Sequence, residues 1–162
     1  MPRNDNLPHH PGAFAFAPAR PPAELTALMP RPSLPEPASP RGELVIRTIA
    51  MPADTNSKGD IFGGWLLSQM DLGGAVRARN VAHGRVATVA IEGMSFLYPV
   101  FVGDIVTCYA RLQGIGRTSM KIDLEAWVQR QTDGSVHRVT EGIFTYVALD
   151  EAGRPRPVRR DP

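Results

Sequence analysis

The sequence predicts an α+β domain in which a five-stranded antiparallel sheet wraps around one long central helix. Three observations carry this reading. Phe62 to about His83 is one long segment free of proline, and it ends at Gly84, a residue suited to a helix C-cap. The runs on either side are short, strand-like and punctuated by Gly, Pro, Asn and Asp. One of them, Ser119 to Arg130, alternates cleanly. Met120, Ile122, Leu124, Ala126 and Val128 share one face, and Lys121, Asp123, Glu125 and Trp127 share the other. That period of two marks an antiparallel strand with one buried face, and one helix with five strands buries itself against one face of the sheet.

Taken in order, residues 1–42 hold most of the prolines, including Pro21-Pro22, Pro30, Pro32, Pro35, Pro37 and Pro40. Proline removes a backbone donor and fixes φ, so this stretch is read as a flexible arm. The domain is placed at 43–150, and 151–162, with Gly153-Arg154-Pro155-Arg156-Pro157, is read as a second flexible tail. Leu44 to Met51 is the first strand and Pro52 to Asp60 a turn-rich loop. Phe62, Trp65, Leu66, Leu67, Met70, Leu72 and Val76 leave the first half of the helix without a clean polar face, as in a helix covered nearly all round. Gly73, Gly74, Ala75 and Ala78 are small enough for a sheet to approach closely. Strands follow at Ala87 to Phe96 and Asp104 to Gln113, a turn at Gly114 and Gly116, and the alternating strand. A hairpin at Asp133-Gly134 then leads into a last strand, Val136 to Leu149.

Composition narrows the classes of function. A length of 162 residues fits one domain, and a hydrophobic fraction of 43% suffices for a core. The net charge of +2 demands no nucleic-acid partner, while a pI near 9.0 suits a small polyanion as well as an ordinary basic surface. The single cysteine, Cys108, excludes an intramolecular disulfide and reads as a buried thiol. No apolar run approaches the roughly 20 residues of a membrane span, and the N-terminus makes a poor secretory signal, so a cytoplasmic location is expected. No His, Cys and carboxylate spacing suggests a metal.

Asp71 is the residue that needs explaining. A carboxylate in an apolar helix must have a partner, be protonated or face a wet site. It is either paired structurally, with backbone or with Arg77, or it is chemical. Fifteen residues earlier, Asn56 sits in the loop that enters the helix, and Gly63-Gly64 occupies the first turn. The first amides of a helix lack acceptors and carry the positive end of its dipole. Glycine there serves either a close backbone contact or a ligand carbonyl polarised on those amides. Asp71 would then act as general base or as nucleophile. Gly64 and Asp71, two turns apart, share a face but stand roughly 10 Å apart along the axis. A two-fold dimer with antiparallel helices would bring Asp71 of one subunit to Gly64 and Asn56 of the other, giving composite sites at the interface.

The run Met51-Pro52-Ala53-Asp54-Thr55-Asn56, then Gly59-Asp60-Ile61-Phe62-Gly63-Gly64-Trp65 and Ser68-Gln69-Met70-Asp71, strongly resembles the YciA-type acyl-CoA thioesterases of the hotdog superfamily. The likeness continues through Ala82-His83-Gly84-Arg85, Glu92-Gly93-Met94, Phe96, Pro99-Val100, Val102-Gly103-Asp104 and Glu125-Ala126-Trp127-Val128, covering about 44–158. It implies the hotdog fold, hydrolysis of fatty acyl-CoA to free acid and coenzyme A, no cofactor beyond the substrate's own coenzyme A, and homodimers with shared sites assembled as trimers of dimers. It also implies catalysis at the positions of Asp71 and Asn56. Phe62 stands where some wider relatives have histidine.

Coenzyme A needs cations for its phosphates, and Arg85, Arg117 in the Gly116-Arg117-Thr118-Ser119 turn, and Lys121 are the candidates, each equally readable as a solvated surface charge. Gly63, Thr118 and Ser119 complete the expected substrate contacts. His83 reads as a helix cap, and Asp60 as a residue favouring the helix N-terminus. Two other readings compete. A hotdog enoyl-CoA hydratase usually needs a histidine paired with a carboxylate, and Asn56 to Ala82 contains none. A non-catalytic acyl-CoA binding or sensing protein has no need of a costly helix carboxylate.

Overall fold

The computed structural model describes residues 39–158. The elements are β1 (Glu43–Ile49), a single 3-10 turn (Pro52–Asp54), α1 (Gly63–Ala82), β2 (Val86–Phe96), β3 (Ile105–Ile115), β4 (Ser119–Gln129) and β5 (Val136–Ala148). The strands form one sheet in the order β1-β3-β4-β5-β2, antiparallel at every pairing. The expected five strands and single helix are therefore present, with ends displaced by one or two residues. The arm expected at 1–42 lies outside the described residues up to 38.

The helix lies on one face of this sheet. Leu66, Met70, Gly73, Gly74, Ala78 and Ala82 are its buried residues. They meet Val106, Cys108 and Ala110 of β3, Met120, Ile122 and Leu124 of β4, and Phe144 and Tyr146 of β5 in one core. The small residues act as expected. A Cβ on Gly73 would come within 2.7 Å of Val45 Cγ2, and one on Gly74 within 2.8 Å of Leu124 Cδ1. The expectation of a helix covered nearly all round does not hold for the single chain. Leu72 and Val76 are 58% and 47% exposed, because the sheet curls over one side only.

Five further differences each have a physical cause. The helix ends on His83, whose φ of 47° places it, and not Gly84, in the left-handed region. Gly114 belongs to β3 at a register shift, so the turn is confined to Gly116 onward, where the Gly116 amide donates to the Ser119 carbonyl at 2.8 Å. Glu125 and Trp127 are buried on the face of β4 away from the helix, so the second half of that strand is covered on both sides. The chain after 150 folds back as far as Val158. Leu149 bridges to Pro155, the Val158 amide donates to the Arg117 carbonyl at 2.9 Å, and Arg156 Nη2 donates to the carbonyl of Ala82 at 2.8 Å. A guanidinium on the last helical carbonyl complements the helix dipole, so the boundary drawn at 150 falls too early. Similarly Arg41, placed in the arm, is bonded to Glu125.

Candidate active site

The loop that enters α1 is closed by its own backbone. Thr55 pairs with Ile61, the Asn56 amide donates to the Asp60 carbonyl at 2.7 Å, and the Phe62 amide donates to the Asp54 carbonyl at 2.8 Å. Gly59, at φ 91°, makes the reversal. Within it the Asn56 carboxamide oxygen accepts from the amides of Lys58 (2.8 Å) and Asp60 (3.3 Å). That fixes the orientation of the side chain, because the oxygen is consumed by the turn and the NH2 end is the part left to donate elsewhere. Asp60 does not serve the helix N-terminus as expected: Phe62 is the N-cap, and no side chain caps it.

Gly63 and Gly64 are the first two helical residues, and their amides precede the first bond of the turn, from the Trp65 amide to the Phe62 carbonyl at 2.9 Å. A Cβ on Gly64 would lie 2.7 Å from the Phe62 ring, and one on Gly63 3.5 Å from the Phe96 ring. The glycine pair thus lets two aromatic rings close over a helix N-terminus, and Gly64 itself remains exposed.

Asp71 is half-buried two turns further along. Its Oδ1 accepts from Thr88 Oγ1 of β2 at 2.6 Å and from the Tyr146 hydroxyl of β5 at 3.2 Å. The same hydroxyl also donates to the Asp71 backbone carbonyl at 3.0 Å. Arg77, weighed as a structural partner, instead pairs with Glu43 at 3.2 Å. Burial first, and then the charge of Asp71, push the Tyr146 phenol far above its ordinary range, so it remains a donor. Thr88 and Tyr146 were not singled out in the sequence. The signal for Tyr146 was its place at an inward position of an apolar strand, where a phenol needs a partner.

The expected cations fall elsewhere. Arg85, Arg117, Thr118 and Ser119 gather at the end of the sheet that holds the helix C-terminus, linked by the Leu149 amide to the Arg85 carbonyl (2.8 Å) and the Ala148 amide to the Thr118 carbonyl (2.9 Å). Arg85 Nη1 also donates to the Glu151 carbonyl at 3.1 Å. Lys121 lies apart from these, on the sheet face opposite the helix and paired with Glu92 at 3.2 Å, because β4 alternates strictly from Met120 to Ala126. Within one chain, then, Asn56 with Gly63 and Gly64, Asp71, and the two arginines form three separate stations along the helix. Burial raises the Cys108 thiol to about 12, consistent with an inert core position. Among the described residues no three His, Cys, Asp or Glu side chains cluster as a metal site would require, and no helix is long and apolar enough to cross a membrane.

A long helix half-wrapped by a five-stranded antiparallel sheet, with an aspartate in mid-helix beside an open strand edge, defines the hotdog class of thioester-handling proteins. A model of the thioesterase superfamily matches residues 58–135. The acyl-CoA thioester hydrolase YciA of Salmonella typhimurium is 58% identical over 123 residues, which span 74% of this chain and 92% of that protein. YciA of Escherichia coli K12 is 58% identical over 120 residues, 72% of this chain and 91% of that protein. Among solved structures, the hexameric thioesterase y2039 from Yersinia pestis superimposes with a TM-score of 0.73 at 57% identity, covering 76% of this chain and all of that one. HI0827, a hexameric broad-specificity acyl-coenzyme A thioesterase, gives 0.73 at 50% identity over 76% of this chain and 85% of that one. The chain belongs to the YciA family of acyl-CoA thioester hydrolases, as its motifs implied.

Proposed function

We propose that this chain hydrolyses fatty acyl-CoA thioesters to free acid and coenzyme A, with Asp71 as the reacting carboxylate. The observation that carries the reading is the setting of Asp71: held by two neutral hydroxyls, beside exposed apolar surface, in a helix otherwise free of acidic residues. The thioester carbonyl sits on the amides of Gly63 and Gly64 and the NH2 of Asn56, where an oxyanion would be stabilised by donors already in place. As a base, Asp71 takes a proton from water as its oxygen adds to the carbonyl carbon. The C–S bond then breaks and the proton passes to the thiolate. As a nucleophile, Asp71 adds to the carbonyl carbon and the C–S bond breaks, releasing the thiolate and leaving a mixed anhydride. Water opens the anhydride to the acid, restoring the Asp71 carboxylate, and the proton that water gives up passes to the thiolate.

The two stations are about 10 Å apart on one helix, so the site is composite and Asp71 works with Asn56 and Gly64 of a second copy. Among the described residues edge strand β2 pairs with β5 alone and carries Val89, Ile91 and Phe96 exposed, while Phe62, Leu72 and Val76 are exposed on the helix segment. Pairing this surface with its two-fold mate sets the helices antiparallel and completes both sites. The same arrangement carries the Arg85 and Arg117 end of one subunit toward the Asn56 end of the other, which supplies guanidinium groups, with Thr118 and Ser119, for the phosphates of coenzyme A. A trimer of such dimers accords with the hexamers of y2039 and HI0827. Water is the only co-reactant, no cofactor, nucleic acid or membrane insertion is required, and the cytoplasm is the expected compartment. Like-chemistry relatives have been solved with an aspartate and with an asparagine replaced by alanine.

The test is thiol release from acyl-CoAs of increasing chain length, from acetyl to palmitoyl, by the native chain and by Asp71→Asn. Turnover lost in the variant supports the assignment and reveals the chain-length preference together. A native chain that binds acyl-CoA without turnover would replace the assignment with a binding function.

A further inference from the structure

We propose that Tyr146 is a positioning residue for this reaction: lodged in the notch that Gly74 opens in α1, its hydroxyl fixes Asp71 so that Oδ1 is held and Oδ2 reacts. The proposal rests on Asp71 being the reacting carboxylate. Tyr146 is 0% exposed and so does not touch substrate. Its hydroxyl reaches the helix only because residue 74 has no side chain, since a Cβ there would lie 2.1 Å from the phenolic oxygen and 2.8 Å from the ring carbon that bears it. Through this notch one hydroxyl donates to both the main-chain carbonyl of Asp71, at 3.0 Å, and its Oδ1, at 3.2 Å. Backbone and carboxylate of the same residue are thereby tied to β5.

Thr88 Oγ1 approaches the same Oδ1, at 2.6 Å, from β2. Two donors from two strands converge on one oxygen, so exchanging the oxygens by rotation breaks both bonds at once. Oδ2 is the oxygen these donors leave for water or the acyl carbon. Of the other ionisable groups near this stretch of helix, Arg77 is engaged with Glu43 of β1, leaving the hydroxyls as the anchors. The phenol, pushed upward by burial and by Asp71, stays protonated throughout any working pH range.

The experiment compares four proteins: native, Asp71→Asn, Tyr146→Phe, and native sequence with 3-fluorotyrosine at position 146. Tyr146→Phe is expected to lower kcat roughly tenfold to hundredfold with KM within about twofold, the signature of lost orientation rather than lost binding. It should also move the acid limb of the kcat/KM profile to higher pH, because a donor to the charged carboxylate is removed. Fluorotyrosine keeps the shape and strengthens the donor, so the limb should move to lower pH. A residue that only packs the core moves the limb in neither case. Native kcat in folded Tyr146→Phe, or a loss confined to KM, overturns the proposal. If Tyr146→Phe does not fold, an unmoved limb in the fluorotyrosine protein overturns it as well. Retained turnover in Asp71→Asn removes the underlying assignment, whereas an inactive Asp71→Asn beside an unaffected Tyr146→Phe removes the positioning role alone.

Discussion

Two carboxylates sit against opposite faces of the same sheet, and they are held in opposite ways. Glu125, on the face away from the helix, is 2% exposed. It accepts from the Trp127 indole at 3.0 Å, the Arg41 amide at 3.1 Å and Arg41 Nε at 2.5 Å, with Arg138 Nη1 at 3.9 Å. Burial alone would raise its pKa, but the indole, the amide and the guanidinium outweigh it and hold the carboxyl below its ordinary value. Asp71 is more open, and its donors are two neutral hydroxyls on one oxygen. Glu125 is a charge neutralised and used up by its partners; Asp71 is a charge oriented and left with an oxygen to spare. Burial and the nature of the partners therefore separate the two together, enclosure by charged donors marking a structural carboxylate and partial exposure with neutral donors the one proposed to react. Asp104, buried and paired with Arg130, falls on the structural side.

This contrast is sharpest in turnover. Asp71→Ala should cost about 10²–10⁴ in kcat, the range for removal of a general base, with the fold retained; circular dichroism and steady-state thiol release check both halves. Asn56→Ala follows, with a loss of roughly 10²–10³ as for one oxyanion donor. If sites are shared between subunits, mixing the two inactive proteins under subunit exchange restores part of the activity. An absence of rescue in subunits shown to exchange would break the composite site.

The effect expected at Glu125 is on stability. Glu125→Gln removes charge-assisted bonds and should lower unfolding free energy by about 1–3 kcal/mol in urea, with activity per folded molecule unchanged. The pH dependence has a definite sign. A carboxyl whose folded pKa is depressed contributes stability that is present above its unfolded value, 4.5, and is lost as pH falls through the folded value. The native chain should therefore weaken below about pH 4.5 more steeply than Glu125→Gln. The smallest effect is at Cys108, whose thiol, raised to about 12 by burial, should resist Ellman's reagent in the native protein and react only on unfolding. Rapid labelling without denaturant would contradict its core position.

The two regions also differ in how far they could be read in advance. The alternation from Met120 to Val128 located β4 and its inward face, because period-two patterning is local. The same alternation placed Glu125 and Trp127 at the surface, since nothing local shows that Arg41 and Arg138 cover them from distant segments. Asp71 and Asn56 stood out from charge in an apolar helix and from motif. Thr88 and Tyr146 did not, because the bonds they make span 17 and 75 residues and depend on strand register. Gly74 was legible as a small residue for close packing, but that its notch admits a hydroxyl required the tertiary structure. The C-terminal strap was misread for a similar reason. Its Gly and Pro content suggested a tail, while the guanidinium of Arg156 on the helix end is a long-range contact.

One measurement separates the two carboxylates directly: Asp71→Asn and Glu125→Gln, each removing one charge at constant size, assayed side by side for thiol release per folded molecule and for urea midpoint. The expected result is crossed, with Asp71→Asn inactive at a near-native midpoint and Glu125→Gln active at a lowered one. Thiol release surviving in Asp71→Asn, or lost equally in folded Glu125→Gln, would contradict it.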